Sequence, residues 1–358
     1  MHLLADISAH GLGHLAQTAP VLNALSRLAP AVRLTVRSAL PRERLAARIA
    51  AEFEHVAEAR DFGFAMHNAV DIDLAASARR YREFHADWPQ RVAAEADWLR
   101  RHQVDAVLSN VAYLPLAGAA AAGIPGVGLC SLNWAELFDH YFGREPWALE
   151  IHAQMLAAYN AGAGFLRATP GLPMADLRHR REIAPIADIG RPDRKRFALE
   201  LGLDESERWL LLAMGGMEFP LPVENWPQTP GLTWLLPKTW QVRRSDVRAF
   251  DAAGLRFGDL LASVDAVITK PGYGTFVEAA CSAIPILYLE RDDWPETPHL
   301  TAWLADHARA APLTRERLLA GDFIALLQGL WHTPAPVAPQ ATGADQAARW
   351  LLKAFGPA

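Results

Sequence analysis

The run Asp265 to Leu289, DAVITKPGYGTFVEAACSAIPILYL, narrows the fold more than any other stretch of the chain. It reads as an apolar strand, a glycine-bearing loop, a helix opening on Thr275, and a second apolar strand. Strands that are apolar throughout need cover on both faces, and a helix between two of them is the connection parallel strands require. Gly272 and Gly274 permit tight backbone turns, and the amides at the helix start, aided by its dipole, suit an anionic ligand. Glu278 lies one turn further on. It would repel a phosphate but accept hydrogen bonds from two neighbouring ribose hydroxyls; the alternative is a solvated residue of a well-capped helix.

The same alternation runs along most of the chain. His2 to Ile7, a helix from about His14 to Leu28, and Val32 to Val36 start a βαβ unit. Glu54 to Ala57, Val104 to Ser109, Gly126 to Cys130 and Phe165 to Ala168 continue it as strands. Asp61 to Ser77 lacks clean periodicity and reads as a long loop. At 358 residues the chain exceeds a single core. The expected division is residues 1–170, a linker over 171–191, a second domain over 192–331, and a linker with a terminal helix over 332–358. In the second half Arg208 to Met214, Leu232 to Leu236 and Val264 to Thr269 read as strands, and Gln346 to Phe355 as the last amphipathic helix. The expected fold is therefore α/β, two Rossmann-like doubly wound parallel-sheet domains.

A formal charge of −5 argues against a nucleic-acid partner held by a broad basic surface. Two cysteines, Cys130 and Cys281, make no disulfide framework. The short apolar stretch at the N-terminus is not a signal peptide, and no window has the apolar length of a membrane span, so a cytoplasmic protein is expected, with peripheral membrane contact left open. No His/Cys cluster has metal-ligand spacing and no GxxxxGK[ST] loop occurs, so neither a metal nor a cofactor is expected.

Three further places carry candidate chemistry. His10-Gly11-Leu12-Gly13-His14 follows the first strand and, through Ala16, satisfies GxGxxG/A, but the second strand ends Val36-Arg37-Ser38 rather than in an acid. That disfavours NAD and leaves an NADP oxidoreductase, with Arg37 and Ser38 on a 2′-phosphate, as a minor reading. His14 sits where the loop becomes a helix: it is a general base for a hydroxyl, or it caps backbone or binds phosphate. Gly215 and Gly216 follow the first strand of the second half and offer bare amides to the same anion as the Lys270 to Thr275 loop, or are tight strand exits.

With these pieces in place, the chain resembles GT-B glycosyltransferases of the family 28 branch, on KPGYGTFVEAACSAIP. It is also similar to the glycosyltransferase-like N-terminal region of plant arabinokinases, on His10 to His14, Val107 to Asn110, Asn133-Trp134, Gly272 to Thr275 and Arg291 to Trp294. The kinase portion of those proteins has no counterpart here. The resemblance implies two domains facing a cleft and an inverting, metal-independent transfer from a nucleotide-diphosphate sugar, UDP-linked, to an acceptor hydroxyl. His14 would be the base. Gly215, Gly216, Gly272, Gly274 and Thr275 would hold the diphosphate, Glu278 the ribose, and Arg291, Asp292 and Glu296 the donor sugar. His10, Gly11, Gly13, Asn110, Asn133 and Trp134 would face a small-molecule, lipid or glycan acceptor, with Phe138, Tyr141, Phe142 and Trp147 forming an aromatic pocket or simply core. One departure matters: related sequences carry an acid where this chain has Asn110, and an amide only orients a histidine. Asp71, Asp73 or Asp139 would have to supply the charge, or the chain binds nucleotide sugar without turnover. A nucleotide-sugar epimerase is a further alternative.

Overall fold

A computed structural model describes residues 1–68, 70–215, 221–250 and 255–356. Two compact units emerge. The first comprises Met1–His67, Asp71–Ile186 and Thr342–Ala358; the second comprises Asn68–Val70 and Ala187–Ala341.

The first unit holds β1 (His2–Ile7), β2 (Arg33–Arg37), β3 (Glu54–Val56), β4 (Ala106–Asn110), β5 (Gly126–Cys130), β6 (Gly164–Ala168) and β7 (Arg180–Ile183). They lie in the order β3-β2-β1-β4-β5-β6-β7, and every pair is parallel. β1, β4 and β5 are buried along their whole length, the polar His2, Asp6, Ser109 and Asn110 included, and are apolar in between. β7 falls inside the stretch expected to be a linker. Its sequence, RREI, has three exposed residues and no apolar run, and it is a strand because β6 offers it an edge. The loop expected over Asp61 to Ser77 is also shorter, because Asp73 accepts from the Ala76 amide and caps a helix over Leu74–Ala86.

The second unit holds β8 (Arg208–Ala213), β9 (Leu232–Leu236), β10 (Val247–Ala249), β11 (Ala266–Thr269), β12 (Ile286–Leu289) and β13 (Ala310–Leu313). Their order is β10-β9-β8-β11-β12-β13, again all parallel. One face of this sheet packs Leu210, Leu212, Trp234, Ile268 and Leu287 against Trp226, Phe323 and Leu327.

The last helix begins at Gly343, three residues before its expected start, and runs to Phe355. It returns to the first unit, burying Ala347, Ala348 and Leu351 and packing on the helix Leu12–Leu28. Its start is stitched down: the Gly343 amide donates to the Pro185 carbonyl at 3.0 Å, Gln346 Oε1 accepts from the Ala184 amide at 2.9 Å, and Arg27 meets Asp345 at 3.0 Å. A Cβ on Gly343 would collide with the Ala184 carbonyl oxygen. Gly343→Ala is therefore expected to destabilise the first unit by about 1–3 kcal/mol. Faster proteolytic cleavage within residues 333–342 than in wild type checks this; an unchanged rate and unchanged melting temperature would contradict the docking. Among the described residues no helix is long and apolar enough to cross a membrane.

Candidate functional site

In each sheet the strand order reverses between two central strands, β1 and β4 in the first and β8 and β11 in the second. Open α/β sheets bind ligands beyond the carboxyl ends of such strands.

At the first switch point the helix Leu12–Leu28 opens on Gly11, whose φ of 118° excludes an ordinary side chain. His14, one turn in, is 6% exposed. Its Nδ1 lies 2.9 Å from Asn110 Oδ1 at the end of β4. An amide oxygen only accepts, so Nδ1 carries the hydrogen and Nε2 the lone pair. Asn110 Nδ2 reaches the His14 carbonyl and Gln17 Oε1, both at 3.4 Å, and Gln17 Nε2 donates to Ser131 Oγ at 2.8 Å. Burial, opposed by the Asn110 hydrogen bond, pulls the His14 imidazole down to about 4, so it is neutral at pH 7.

Trp134, fully buried, stands at the centre of this corner. The His10 ring lies 5.2 Å and the His14 ring 5.6 Å from its indole, each edge-on. His10 Nε2 is 3.1 Å from the Phe64 carbonyl. Asn133, 1% exposed, accepts from the Glu136 amide at 2.8 Å and caps the helix Trp134–Phe142, so its side chain is committed to the fold. Gly13 is exposed, and a Cβ on it would meet nothing. Phe138 and Phe142 pack into the core with Tyr81, leaving Tyr141 and Trp147 as the half-buried members of the aromatic segment.

None of the acids expected to serve His14 is bonded to it among the described residues. Asp73 caps its helix, and Asp139 faces His152 at 3.8 Å. The carboxyl that does stand in this corner is Asp61, the first residue of the stretch expected to be a long loop and no candidate by its sequence position. Its Oδ2 accepts from Trp134 Nε1 at 2.6 Å and its Oδ1 from Ser8 Oγ at 3.0 Å. Burial, reinforced by nearby Asp6 and opposed by these two hydrogen bonds, pushes it up to about 7.

Arg37 and Ser38 are not free for a 2′-phosphate. Arg37 is fully buried, donating through Nε to Asp6 at 2.6 Å and through Nη2 to Glu95, while its guanidinium lies 4.7 Å from the Trp98 ring. Ser38, also fully buried, accepts from the Leu40 amide. The residues picked out for NADP are a structural ion network.

At the second switch point β8 runs out through Met214 to Gly215, and β11 is followed by Lys270. Gly216 lies outside the described residues. Gly215 has φ 87°, and a Cβ there would come within 3.1 Å of Lys270 Cε. The following helix opens at Tyr273, two residues before the expected start, with Gly272 as its cap and no side-chain cap. Gly272 is extended at φ 179°, and a Cβ on it would meet nothing within 4 Å, so its value is open space in front of the helix amides rather than a strained turn. Gly274 and Thr275 fall in the first helical turn, Thr275 half-exposed. Glu278 is 2% exposed, which removes the solvated reading of it.

Lys270, Arg291 and Glu296 gather beside this helix start. Burial, then the Arg291 charge, pulls the Lys270 ammonium down to about 8, while Glu296 holds it up. Arg291, 8% exposed, donates through Nε to Asp293 at 3.0 Å, and its Nη2 is buried with no hydrogen-bond partner among the described residues. Glu296 Oε2 accepts from Trp294 Nε1 at 3.4 Å, whereas Asp292 is exposed. Among the described residues no group of three or more His, Cys, Asp or Glu is placed to hold a metal ion.

No protein-family model matches the chain. Over 274 residues, 75% of its length, it is 25% identical to the L-arabinokinase of Arabidopsis thaliana, and the match spans 26% of that protein. Among solved structures it is similar to the glycotransferase of kitacinnamycin, with a TM-score of 0.58 and 16% identity over 99% of this chain and 95% of that one. It is similar also to Arabidopsis thaliana UGT89C1 complexed with UDP, with a TM-score of 0.58 and 14% identity over the same shares. At these identities the likeness is one of fold, and the fold is that of the GT-B glycosyltransferases.

Proposed function

We propose that the protein is a glycosyltransferase, moving a sugar from a UDP-linked donor to the hydroxyl of a small-molecule, lipid or glycan acceptor, with inversion and without a metal. One observation carries the reading: in a GT-B fold, a buried Glu278 stands one turn behind an uncapped, glycine-opened helix start at the switch point of the second sheet. The helix amides receive the diphosphate, and Glu278 accepts from the ribose hydroxyls. The acceptor loses its proton to a base in the first unit, for which sequence position offers His14. Its oxygen attacks the anomeric carbon, and the bond to the diphosphate breaks with its electron pair leaving on phosphate oxygen. The amides of Gly215, Gly274 and Thr275, with Lys270 and Arg291 nearby, offset that charge without reorganising.

Asn110 in place of an acid favours a second reading, a protein that binds nucleotide sugar and does not turn it over. It predicts UDP binding with no UDP release from any donor.

Binding is tested first by melting the protein with UDP, GDP, dTDP and NADP(H). A ligand at 100 times its Kd adds about 2.7 kcal/mol to the native state. UDP is expected to raise the melting temperature of wild type and to have no such effect on Glu278→Ala. Equal stabilisation of both proteins, or of neither, would remove the second unit as the donor site.

A further inference from the structure

We propose that Asp61, rather than His14, is the proton acceptor of the first unit, taking the proton from the acceptor hydroxyl while the neutral His14 ring orients the acceptor. This rests on the transferase reading above.

Two guanidiniums, Arg37 and Arg60, stand at this end of the sheet. Arg37 is engaged by Asp6 and Glu95, and Arg60 by Glu95 at 2.9 Å and Glu58 at 2.7 Å. Asp61, next in the chain, is left with neutral donors only, Trp134 Nε1 and Ser8 Oγ, and no cation among the described residues. The other groups facing it are the Asp6 carboxylate and the phenols of Tyr81, Tyr113 and Tyr159, none of which supplies positive charge at neutral pH. A carboxyl so placed binds a proton easily and loses it again near neutrality, which is what a general base needs.

The geometry aims it at the site. Ser8 ties it to the carboxyl end of β1, beside the Gly11 turn, and Trp134 ties it to the ring that also contacts His10 and His14. Gly63 holds the loop against this corner: a Cβ there would fall 2.7 Å from the His10 ring and 2.9 Å from Trp134. Asp61 is partly buried, and His14, more deeply buried, is pulled to about 4, where an imidazolium has no carboxylate behind it. In the step itself the acceptor O–H proton passes to an Asp61 oxygen. The electron pair left on the acceptor oxygen forms the bond to the anomeric carbon, and the anomeric carbon–oxygen bond breaks towards the diphosphate.

The test has two arms. The first follows the Trp134 indole N–H resonance, assigned with Trp134→Phe, from pH 5 to 9. A midpoint near 7 in wild type and none in Asp61→Asn is expected, because the asparagine still accepts from the indole but does not titrate. An indole that stays flat in wild type overturns the proposal, whether or not any transfer is found. The second arm measures UDP release from UDP-glucose and UDP-galactose with a panel of sugar and phenol acceptors. Turnover is expected to rise with pH through about 7 and then level, since the base works deprotonated. Asp61→Asn should lower kcat by about 10²–10⁴ with the donor KM unchanged, and abolish that limb, while His14→Ala lowers kcat and keeps it. The reverse pattern, with the limb lost in His14→Ala and kept in Asp61→Asn, overturns the proposal and returns the proton to His14. A wild type that releases no UDP with the indole titration intact defeats the transferase reading and leaves Asp61 a proton-binding carboxyl.

Discussion

Arg37→Ala is expected to lower the stability of the first unit by about 3–5 kcal/mol, the cost of removing one partner from a buried ion network and leaving the others uncompensated. Arg37 has no exposed surface, and its partners Asp6 and Glu95 are 2% and 3% exposed, so water does not take its place. For a unit of this size that corresponds to a melting point lower by about 6–20 °C. Asp6→Asn and Glu95→Gln added to Arg37→Ala should return much of the loss, because the repulsion goes with the charges. A single variant that melts with wild type, or a triple that melts below the single, would contradict the network. Arg37 also marks the limit of a motif: the glycine pattern after β1 suggested a dinucleotide, and the guanidinium at the end of β2 is spent inside the fold.

Phe323→Ala is the second large effect, expected to cost the second unit about 3–5 kcal/mol. Phe323 is fully buried and meets Trp226 and Trp234 edge-on, at 5.1 Å and 5.7 Å, while the two tryptophans stand 5.3 Å apart. Truncation therefore removes two ring pairs as well as the buried area. Urea unfolding followed by tryptophan fluorescence reads it directly, since two reporters line the cavity. Phe323→Leu should cost markedly less. Equal losses for alanine and leucine would show that the ring contacts contribute little.

What could be read from the chain divides along a physical line. β1, β5 and β9 announced themselves because strands buried on both faces are continuous apolar runs, and the glycine loops after β1, β8 and β11 followed from those runs. Two doubly wound parallel-sheet domains were within reach on that basis, and the GT-B expectation came from the resemblance. β7 was not, since an edge strand with three exposed charged residues has no pattern of its own and depends on β6. The start of the helix lies at Tyr273, two residues before the expected Thr275, because an extended glycine with no side chain to cap it holds the position before the first turn. Asp61 was invisible for a deeper reason. Its proton affinity comes from burial and from Asp6, against hydrogen bonds accepted from Trp134, 73 positions away, and Ser8, 53 positions away, with Arg60 turned to Glu95. No local spacing encodes that.

The return of the helix Gly343–Phe355 to the helix Leu12–Leu28 reaches beyond packing. Residues 187–341 are an interruption written into the middle of the first unit's text. As the chain leaves the ribosome, the second unit is finished first although it starts later, and the first unit waits on its closing segment with the face of Leu12–Leu28 uncovered. Any product that stops before residue 343 leaves that face bare, a surface for chaperones or for aggregation. An engineer exchanging the second unit for a relative's therefore faces junctions at 186/187 and 341/342, and the Asn68–Val70 segment as well, rather than one fusion point.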